Sequence, residues 1–188
     1  QMANIEPLHL HQEGLLTSLI NEKHDKQLVG QVGEVKALQT LKDFIQSHLA
    51  EYDTQRDLPF LDATSHLSRY LRTGEIAIRT IYQAVINEPE SEGQQTFIKE
   101  LAWRDYYNMI YAMNPQQNTQ SLRPEFQKIA WRNNHNDFLL WQTGQTGFPI
   151  VDAAMRQLNQ TGWMHNRLRM IVASFLTKDL LIDWRWGE

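Results

Sequence analysis

Apolar residues recur at helical spacing along most of this chain. The pattern marks five segments, which are residues 1–30, 32–52, 94–113, 149–161 and 165–176. No run of alternating apolar and polar residues is long enough to indicate a β-strand. We therefore predict an all-α fold.

The segment over residues 32–52 is typical of an amphipathic helix. Its inward positions are predicted to be Val35, Leu38, Leu41, Phe44, Ile45 and Leu49. After a loop over 53–63, the sequence Thr64-Ser65-His66-Leu67-Ser68 is predicted to open another helix. Hydroxyl groups at a helix start are most often ordinary caps, and the same groups can also bind an anion.

The segment from Gly147 to the end predicts two helices around a tight joint. Pro149 suits a first helical turn, and Gly162 is predicted to end that helix. The apolar stripe of the first helix is predicted to contain Ile150, Val151, Ala154, Met155 and Leu158. The second helix carries one apolar stripe (Leu168, Ile171, Val172, Phe175 and Leu176) and a separate face with Asn166, Arg169, Met170 and Ala173. An amide, a guanidinium and a thioether on that second face indicate a lined site.

A further helix, over residues 94–113, places Glu100, Trp103, Arg104 and Tyr107 on one face. A surface helix would show the same pattern, with a Glu100–Arg104 pair that adds a few tenths of a kcal/mol. From sequence alone, Trp131 and Trp141 are most simply core aromatics.

Composition indicates an ordinary single globular domain of 188 residues, 21% charged and 41% hydrophobic. Cysteine is absent, which excludes disulfides and thiolate metal sites and fits a cytoplasmic location. No apolar run approaches the roughly 20 residues of a membrane span. No metal-binding or nucleotide-hydrolysis motif occurs. The net charge of −4 argues only weakly against DNA binding, because residues 1–62 hold 10 Asp/Glu and 5 Lys/Arg.

One long segment, TGFPIVDAAMRQLNQTGWMHNRLRMIVASFLTKDLLIDWRWGE, closely resembles the flavin-binding helical domain of the DNA photolyase/cryptochrome family. Within it, WMHNRLRM is similar to class I cyclobutane pyrimidine dimer photolyases. The resemblance covers about residues 33–188. It implies that residues 1–32 form a linker helix from an upstream antenna domain that is absent here. FAD is the implied cofactor, and an antenna chromophore is expected only on the missing domain.

The resemblance implies that reduced, light-excited FAD passes an electron to a pyrimidine dimer flipped out of DNA. The implied activity is therefore light-driven DNA repair by a lyase, with damaged DNA as the partner and no membrane. Two alternatives remain. One is a cryptochrome-type blue-light sensor without repair activity, and the other is a helical interaction or DNA-binding scaffold without flavin.

The resemblance also implies which residues contact FAD. Family members have a TSxLS motif twelve residues after a Tyr, and these grip the pyrophosphate of the cofactor. The corresponding residues here are Tyr52, Thr64, Ser65, His66, Leu67 and Ser68. His66 replaces a residue that is often basic. Arg169 is implied to pair with a carboxylate on the flavin side.

The remaining implied roles concern the DNA lesion and electron transfer. Trp103 would stack on the dimer, Glu100 and Asn166 would hydrogen-bond its edge, and Met170 would pad the pocket. Phosphate contacts are implied for Arg56, Arg104 and Arg167. Trp131 and Trp184 align with the solvent-side and middle members of the family's electron-transfer chain.

In the family, the stretch that follows WR-x-GE contributes the Asp partner of Arg169 and further flavin contacts. This chain ends at Glu188. We therefore expect a C-terminally truncated FAD-binding domain that folds at least in part. We also expect it to bind flavin weakly or not at all.

Overall fold

The computed structural model describes residues 32–187, which are helical and contain no strand. The all-α prediction is confirmed. The linker helix predicted over 1–32 lies outside the described residues, apart from Val32. The helices are α1 (Glu34–Ser47), α2 (Tyr52–Gln55), α3 (Ser68–Thr73), α4 (Ile78–Ile86), α5 (Glu92–Met113), α6 (His135–Thr143), α7 (Pro149–Thr161) and α8 (Asn166–Ser174). Shorter 3-10 turns cover Pro115–Asn118, Pro124–Lys128 and Trp184–Trp186, and a π-helical turn, Phe175–Asp179, continues α8.

The N-terminal core forms between α1, α2, α3, α4 and the first half of α5. Its largest contacts are aromatic, because the rings of Phe44, Tyr52 and Phe97 lie with centroids 4.7 to 5.6 Å apart. Around them pack Ala37, Leu41, Leu49, Leu67, Tyr70, Ile76, Ile81, Val85 and Leu101, all buried. Gln94 closes the α4–α5 turn by donating to the Val85 carbonyl at 2.8 Å.

Helix α1 departs from its predicted form in two ways. It ends at Ser47, because the turn after it packs against the start of α5, where Gly93 lies on the carbonyl groups of Leu49 and Ala50. The predicted inward positions Val35 and Leu38 are wrong, since their side chains are 84% and 41% exposed. The buried stripe instead runs through Ala37, Leu41 and Phe44.

The C-terminal core forms between α6, α7, α8 and the π-helical turn. Its buried members are Trp141, Val151, Ala154, Met155, Met164, Leu168, Val172, Phe175, Leu176 and Ile182. Trp141 is a core residue as predicted, and its indole N–H donates to the Val172 carbonyl at 3.0 Å.

The predicted joint between α7 and α8 is confirmed. Pro149 lies in the first turn of α7, and Gly162 ends that helix with a positive φ of 69°. Ile150 is wrong as a core position because it is 50% exposed. Helix α8 has the predicted two faces, with Leu168 and Val172 buried and the Asn166 face exposed.

Asp152 fixes the entry into α7. Its buried carboxylate accepts hydrogen bonds from the Thr146 N–H at 2.8 Å, the Thr146 hydroxyl at 2.6 Å and the Gly147 N–H at 3.0 Å. Burial alone would raise the pKa of Asp152, but these hydrogen bonds outweigh it, so the pKa is lowered. The carboxylate is therefore a structural acceptor that periodicity does not reveal.

The two cores do not merge into one cluster. Polar and aromatic contacts connect them instead, and the main cavity lies along this boundary, which we call the seam. Within the described part of the chain, no helix is both long and apolar enough to cross a membrane.

We predict that Gly93→Ala destabilises the fold, although Ala ordinarily stabilises a helix relative to Gly by up to about 1 kcal/mol. A Cβ at this position would clash with the carbonyl oxygens of Leu49 and Ala50, which are backbone atoms and cannot rotate away. The free energy of unfolding in urea should fall by about 1–3 kcal/mol. Lys99→Ala, an exposed change on the same helix, should alter it by less than about 0.5 kcal/mol. A stabilised Gly93→Ala variant would contradict this account of the α1–α5 contact.

Candidate cofactor cavity and DNA-facing surface

A cavity of about 1000 Å³ opens at the seam, at the upper end of the roughly 300–1000 Å³ range of ligand pockets. Both cores contribute to it. The N-terminal side supplies Lys36, Thr40, Asp62, Thr64, Ser65, His66, Leu67, Ser68, Arg69 and Arg72. The C-terminal side supplies Thr161, Gly162, Trp163, Met164, Asn166 and Arg169. The structure therefore brings the predicted TSxLS residues together with the predicted Asn166 and Arg169.

The hydroxyl motif does not open its helix in the predicted way. Helix α3 begins only at Ser68, its N-cap position is Leu67, and no side chain caps it. Thr64 and Ser65 therefore lie in the preceding loop, where their hydroxyls line the cavity. The ordinary-cap interpretation of these residues is wrong, because no side chain caps α3 and Ser65 Oγ instead accepts a hydrogen bond from the Leu67 N–H, before the helix, at 3.5 Å. The backbone between them is left-handed at His66, with φ of 52°.

Positive charge dominates the cavity lining. Lys36, Arg69, Arg72 and Arg169 border it, against the single carboxylate of Asp62. That carboxylate is already engaged, since it lies 2.6 Å from His66 Nε2. The lining thus combines hydroxyl donors with an excess of cations, which suits an anionic ligand.

His66 connects the two sides of the seam. Its ring stacks on Trp163, with centroids 4.4 Å apart and an interplanar angle of 31°. Trp163 directly follows the Gly162 joint, so the turn after α7 positions this indole at the cavity. Trp163, Lys36 and Arg72 are lining residues that no pattern in the sequence predicts. Lys36 and Thr40 stand four residues apart on α1, but this spacing does not reveal which surface they face.

Arg169 and Asn166 occupy the start of α8. Arg169 Nε donates to the Met164 carbonyl at 3.1 Å, which holds the guanidinium against the joint before the helix. Among residues 32–187 it has no carboxylate partner, and it is exposed to solvent. Asn166 is exposed and lines the cavity.

His165 caps α8 from a buried position. Its Nδ1 accepts a hydrogen bond from the Arg167 N–H at 3.1 Å, so Nε2 carries the proton of the neutral ring. Nε2 is buried and has no hydrogen-bond partner in the described region. Burial lowers the pKa of His165 and outweighs the nearby Arg56 backbone and Asp57 carboxylate, which act to raise it.

A chain of ion pairs crosses the seam beside the cavity. Arg56 donates to Glu100 on α5 at 2.5 Å and lies 3.8 Å from Asp57. Arg167 on α8 pairs with the same Asp57. Burial opposes the charge of Arg56, but the bond with Glu100 and the nearby carboxylates outweigh it, so the pKa of Arg56 is raised. The network brings three predicted site residues together, namely Glu100, Arg56 and Arg167.

The remaining predicted lesion contacts are exposed. Trp103 is 51% exposed and stacks beside Tyr107, with centroids 5.8 Å apart, while Tyr106 meets it edge-on at 5.5 Å. Met170 is 59% exposed. Arg104 points to the Leu71 carbonyl at 3.4 Å and does not pair with Glu100. The Glu100–Arg104 pair of the surface-helix interpretation is therefore wrong, because Arg56 occupies Glu100.

Trp131 and Trp184 line a second cavity of about 280 Å³. Two hydrogen bonds bring their segments together, from Arg132 N–H to the Leu181 carbonyl at 2.7 Å and from Asp183 N–H to Asn133 Oδ1 at 2.8 Å. Two residues 53 positions apart in sequence thus line one cavity, and their role in electron transfer stays a prediction.

Tyr52 stands apart from the cavity lining. Tyr52 is 8% exposed and lies inside the N-terminal core. The Arg56 guanidinium carbon lies over its ring, 5.4 Å from the centroid. Burial raises the pKa of Tyr52. Its role as a direct FAD contact stays a prediction.

Comparison with known proteins identifies the architecture. The sequence profile described as the FAD binding domain of DNA photolyase matches residues 97–188. The chain is 48% identical over 158 residues to a deoxyribodipyrimidine photo-lyase of Alkalihalophilus pseudofirmus, covering 84% of this chain and 33% of that relative. It is 44% identical over 164 residues to the Escherichia coli deoxyribodipyrimidine photo-lyase, covering 84% and 34%. This chain belongs to the DNA photolyase/cryptochrome family.

Solved structures agree with this membership. A bacterial class III photolyase from Agrobacterium tumefaciens matches with a TM-score of 0.80 and 44% identity, covering 82% of this chain and 33% of that one. A Synechocystis cryptochrome matches with a TM-score of 0.76 and 36% identity, covering 82% and 34%. The chain thus spans about a third of the length of these relatives. Assignment to class I stays a prediction, because these structures include a class III photolyase.

Residues 32–187 contain no group of three His, Cys, Asp or Glu side chains arranged to hold a metal ion.

We predict that His165 makes stability depend on pH. Its folded pKa lies below the unfolded value of about 6.5, so the unfolded chain binds more protons between the two values. The contribution is therefore fully present above about pH 6.5 and is lost as the pH falls through the folded pKa. Urea unfolding across this window should show a flatter dependence for His165→Asn, which keeps a good N-cap acceptor and removes the titrating ring. Identical pH slopes for the two proteins would contradict the assignment.

Proposed function

We propose that the polypeptide carrying this sequence is a deoxyribodipyrimidine photolyase that uses FAD to repair pyrimidine dimers in DNA with light. The observation that carries the proposal is the cavity at the seam, where the Thr64–Ser68 motif and the Asn166–Arg169 turn of α8 meet. Relatives called deoxyribodipyrimidine photo-lyase at 44–48% identity support it. We also propose that residues 33–188 form part of the FAD-binding domain.

The cavity residues fit FAD. Hydroxyls of Thr64, Ser65 and Ser68 supply donors for the pyrophosphate, and the surplus of cations compensates its charge. Trp163 offers an aromatic face on the opposite wall. Asn166 and Arg169 would lie under the flavin ring, with Arg169 held in place by the Met164 carbonyl. When bound and reduced, FAD supplies the light-driven electron that splits the dimer.

The DNA-facing residues would orient and bind the lesion. Trp103 presents an exposed indole for stacking, and Met170 presents an exposed thioether as apolar padding. Glu100 and Asn166 are proposed to hydrogen-bond the pyrimidine edges. Arg56, Arg104 and Arg167 are proposed to contact phosphates. Trp131 and Trp184 are proposed to conduct electrons between solvent and the cofactor.

A cryptochrome-type light sensor is the second candidate, and the structural match to the Synechocystis cryptochrome favours it specifically. Blue-light cleavage of thymine dimers by the full-length protein separates the two functions. Repair above the dark control supports the photolyase, and flavin photochemistry without repair supports the sensor. Because cysteine is absent, we propose a reducing, cytoplasmic location.

Titration of the 188-residue chain with FAD, followed by quenching of flavin fluorescence, tests cofactor binding. We expect weak binding, with a dissociation constant above about 1 µM, or no binding. The phosphate-binding residues are present, whereas Arg169 has no carboxylate partner among the described residues. An uncompensated buried charge costs on the order of 3–5 kcal/mol. Arg169 is exposed to solvent and so avoids this desolvation cost. The cost would return if the site closed and buried its guanidinium.

Two outcomes of this titration carry consequences. Absence of saturable quenching up to millimolar FAD would show that the residues of this chain alone do not hold the cofactor, as expected if Arg169 needs its carboxylate partner. Stoichiometric submicromolar binding by a monomer would show that a carboxylate partner for Arg169 matters less than we expect.

In the full-length protein, Trp103→Ala should weaken binding to dimer-containing DNA far more than binding to undamaged DNA. The loss should be about 1–3 kcal/mol, the value of stacking on one base. Arg167→Ala should weaken both alike and flatten the salt dependence, as expected for a phosphate contact. Fluorescence anisotropy at several salt concentrations measures both effects. Equal effects of the two substitutions on damage selectivity would refute this division of roles.

A further inference from the structure

Two cations at the cavity have no counter-charge among the described residues. Lys36 on α1 and Arg72 on α3 both line the cavity beside the Thr64–Ser68 motif. Neither makes an ion pair with any residue between 32 and 187. They differ in this respect from Arg56 and Arg167, which the carboxylates of the seam neutralise.

The contacts of His66 explain why these cations matter. The resemblance implies that the third residue of the motif lies near the phosphates, but the His66 imidazole is already engaged, because it lies 2.6 Å from Asp62 and stacks on Trp163. Within the motif, only hydroxyls are then left to meet an anion, and a pyrophosphate carries more charge than hydroxyls compensate.

We propose that Lys36 and Arg72 bind the pyrophosphate of FAD and replace the cation that His66 does not supply. This inference rests on the proposed function and extends it to two residues outside the TSxLS motif. Lys36 is half-buried, so its ammonium group is partly shielded from bulk water, and Arg72 supplies planar donors from the exposed rim. Because α1 and α3 belong to the same core, the two cations are held at a fixed position relative to Thr64 and Ser65.

The test compares ADP with adenosine as probes on the 188-residue chain, using chemical-shift titration by NMR. ADP carries a pyrophosphate and adenosine does not, so the ratio of their affinities reports the phosphate contacts alone. We expect ADP to bind more tightly than adenosine. In the Lys36→Gln/Arg72→Gln double variant this ratio should fall about tenfold, with about two- to fivefold from each partly exposed cation. The ratio should also be reduced by salt in the wild type.

Controls separate a contact from a general loss of charge or of fold. Lys42→Gln and Arg79→Gln remove exposed cations from α1 and α4 that do not line the cavity, and they should preserve the ratio. Lys36→Arg should retain most of the affinity for ADP. Adenosine affinity serves as the measure of an intact site, because its binding does not use the cations.

Each outcome has a defined meaning. An unchanged ADP-to-adenosine ratio in the double variant overturns the inference, and so does an equal loss of both affinities. If FAD binds the wild type while the ratio is unchanged, only this inference fails. If ADP binds through Lys36 and Arg72 but the full-length protein binds no FAD, the proposed function fails and the anion contact stands. If ADP does not bind the 188-residue chain, this inference is overturned, and FAD binding by the full-length protein decides the proposed function.

Discussion

The structure depends on a seam that is polar where most domains have a continuous apolar core. The two hydrophobic clusters remain separate, and their connection relies on the Glu100–Arg56–Asp57–Arg167 ion pairs and on the stacking of His66 on Trp163. Polar contacts are directional, so they hold the cores together without closing the gap between them. The cavity is the space that this arrangement leaves open.

The seam also sets the electrostatics of the site. Carboxylates lie on the Arg56 side, where they neutralise the arginines. On the cavity side, Asp62 is the one carboxylate that residues 32–187 contribute to the lining, and it is paired with His66. The unequal distribution gives a cavity that attracts anions in a chain whose net charge is −4. Net charge therefore says little about what such a site binds.

The helices could be predicted from the sequence because periodicity is a local property. The two faces of α8 and the Pro149 and Gly162 boundaries depend on neighbouring residues alone. The errors at Val35 and Ile150 arose because several apolar stripes fit one helix, and only tertiary packing selects among them. The seam joins residues 44 and 110 positions apart, and no repeat in the sequence indicates such pairs. Only the family resemblance predicted that the Thr64 motif and Asn166 share a site.

The ion-pair chain bears on the DNA contacts that we propose. Arg56 and Arg167 are already compensated, so a phosphate that bound Arg167 would have to displace Asp57 and leave that carboxylate near the DNA. Each such exchange would give less net affinity than a free arginine, which would weaken the proposed contact with undamaged DNA. Stacking of a base on Trp103 would break no ion pair, because its exposed ring contacts the aromatic rings of Tyr106 and Tyr107. A surface built in this way favours stacking over phosphate attraction. Discrimination of a lesion requires this balance, because phosphates are the same in damaged and undamaged DNA.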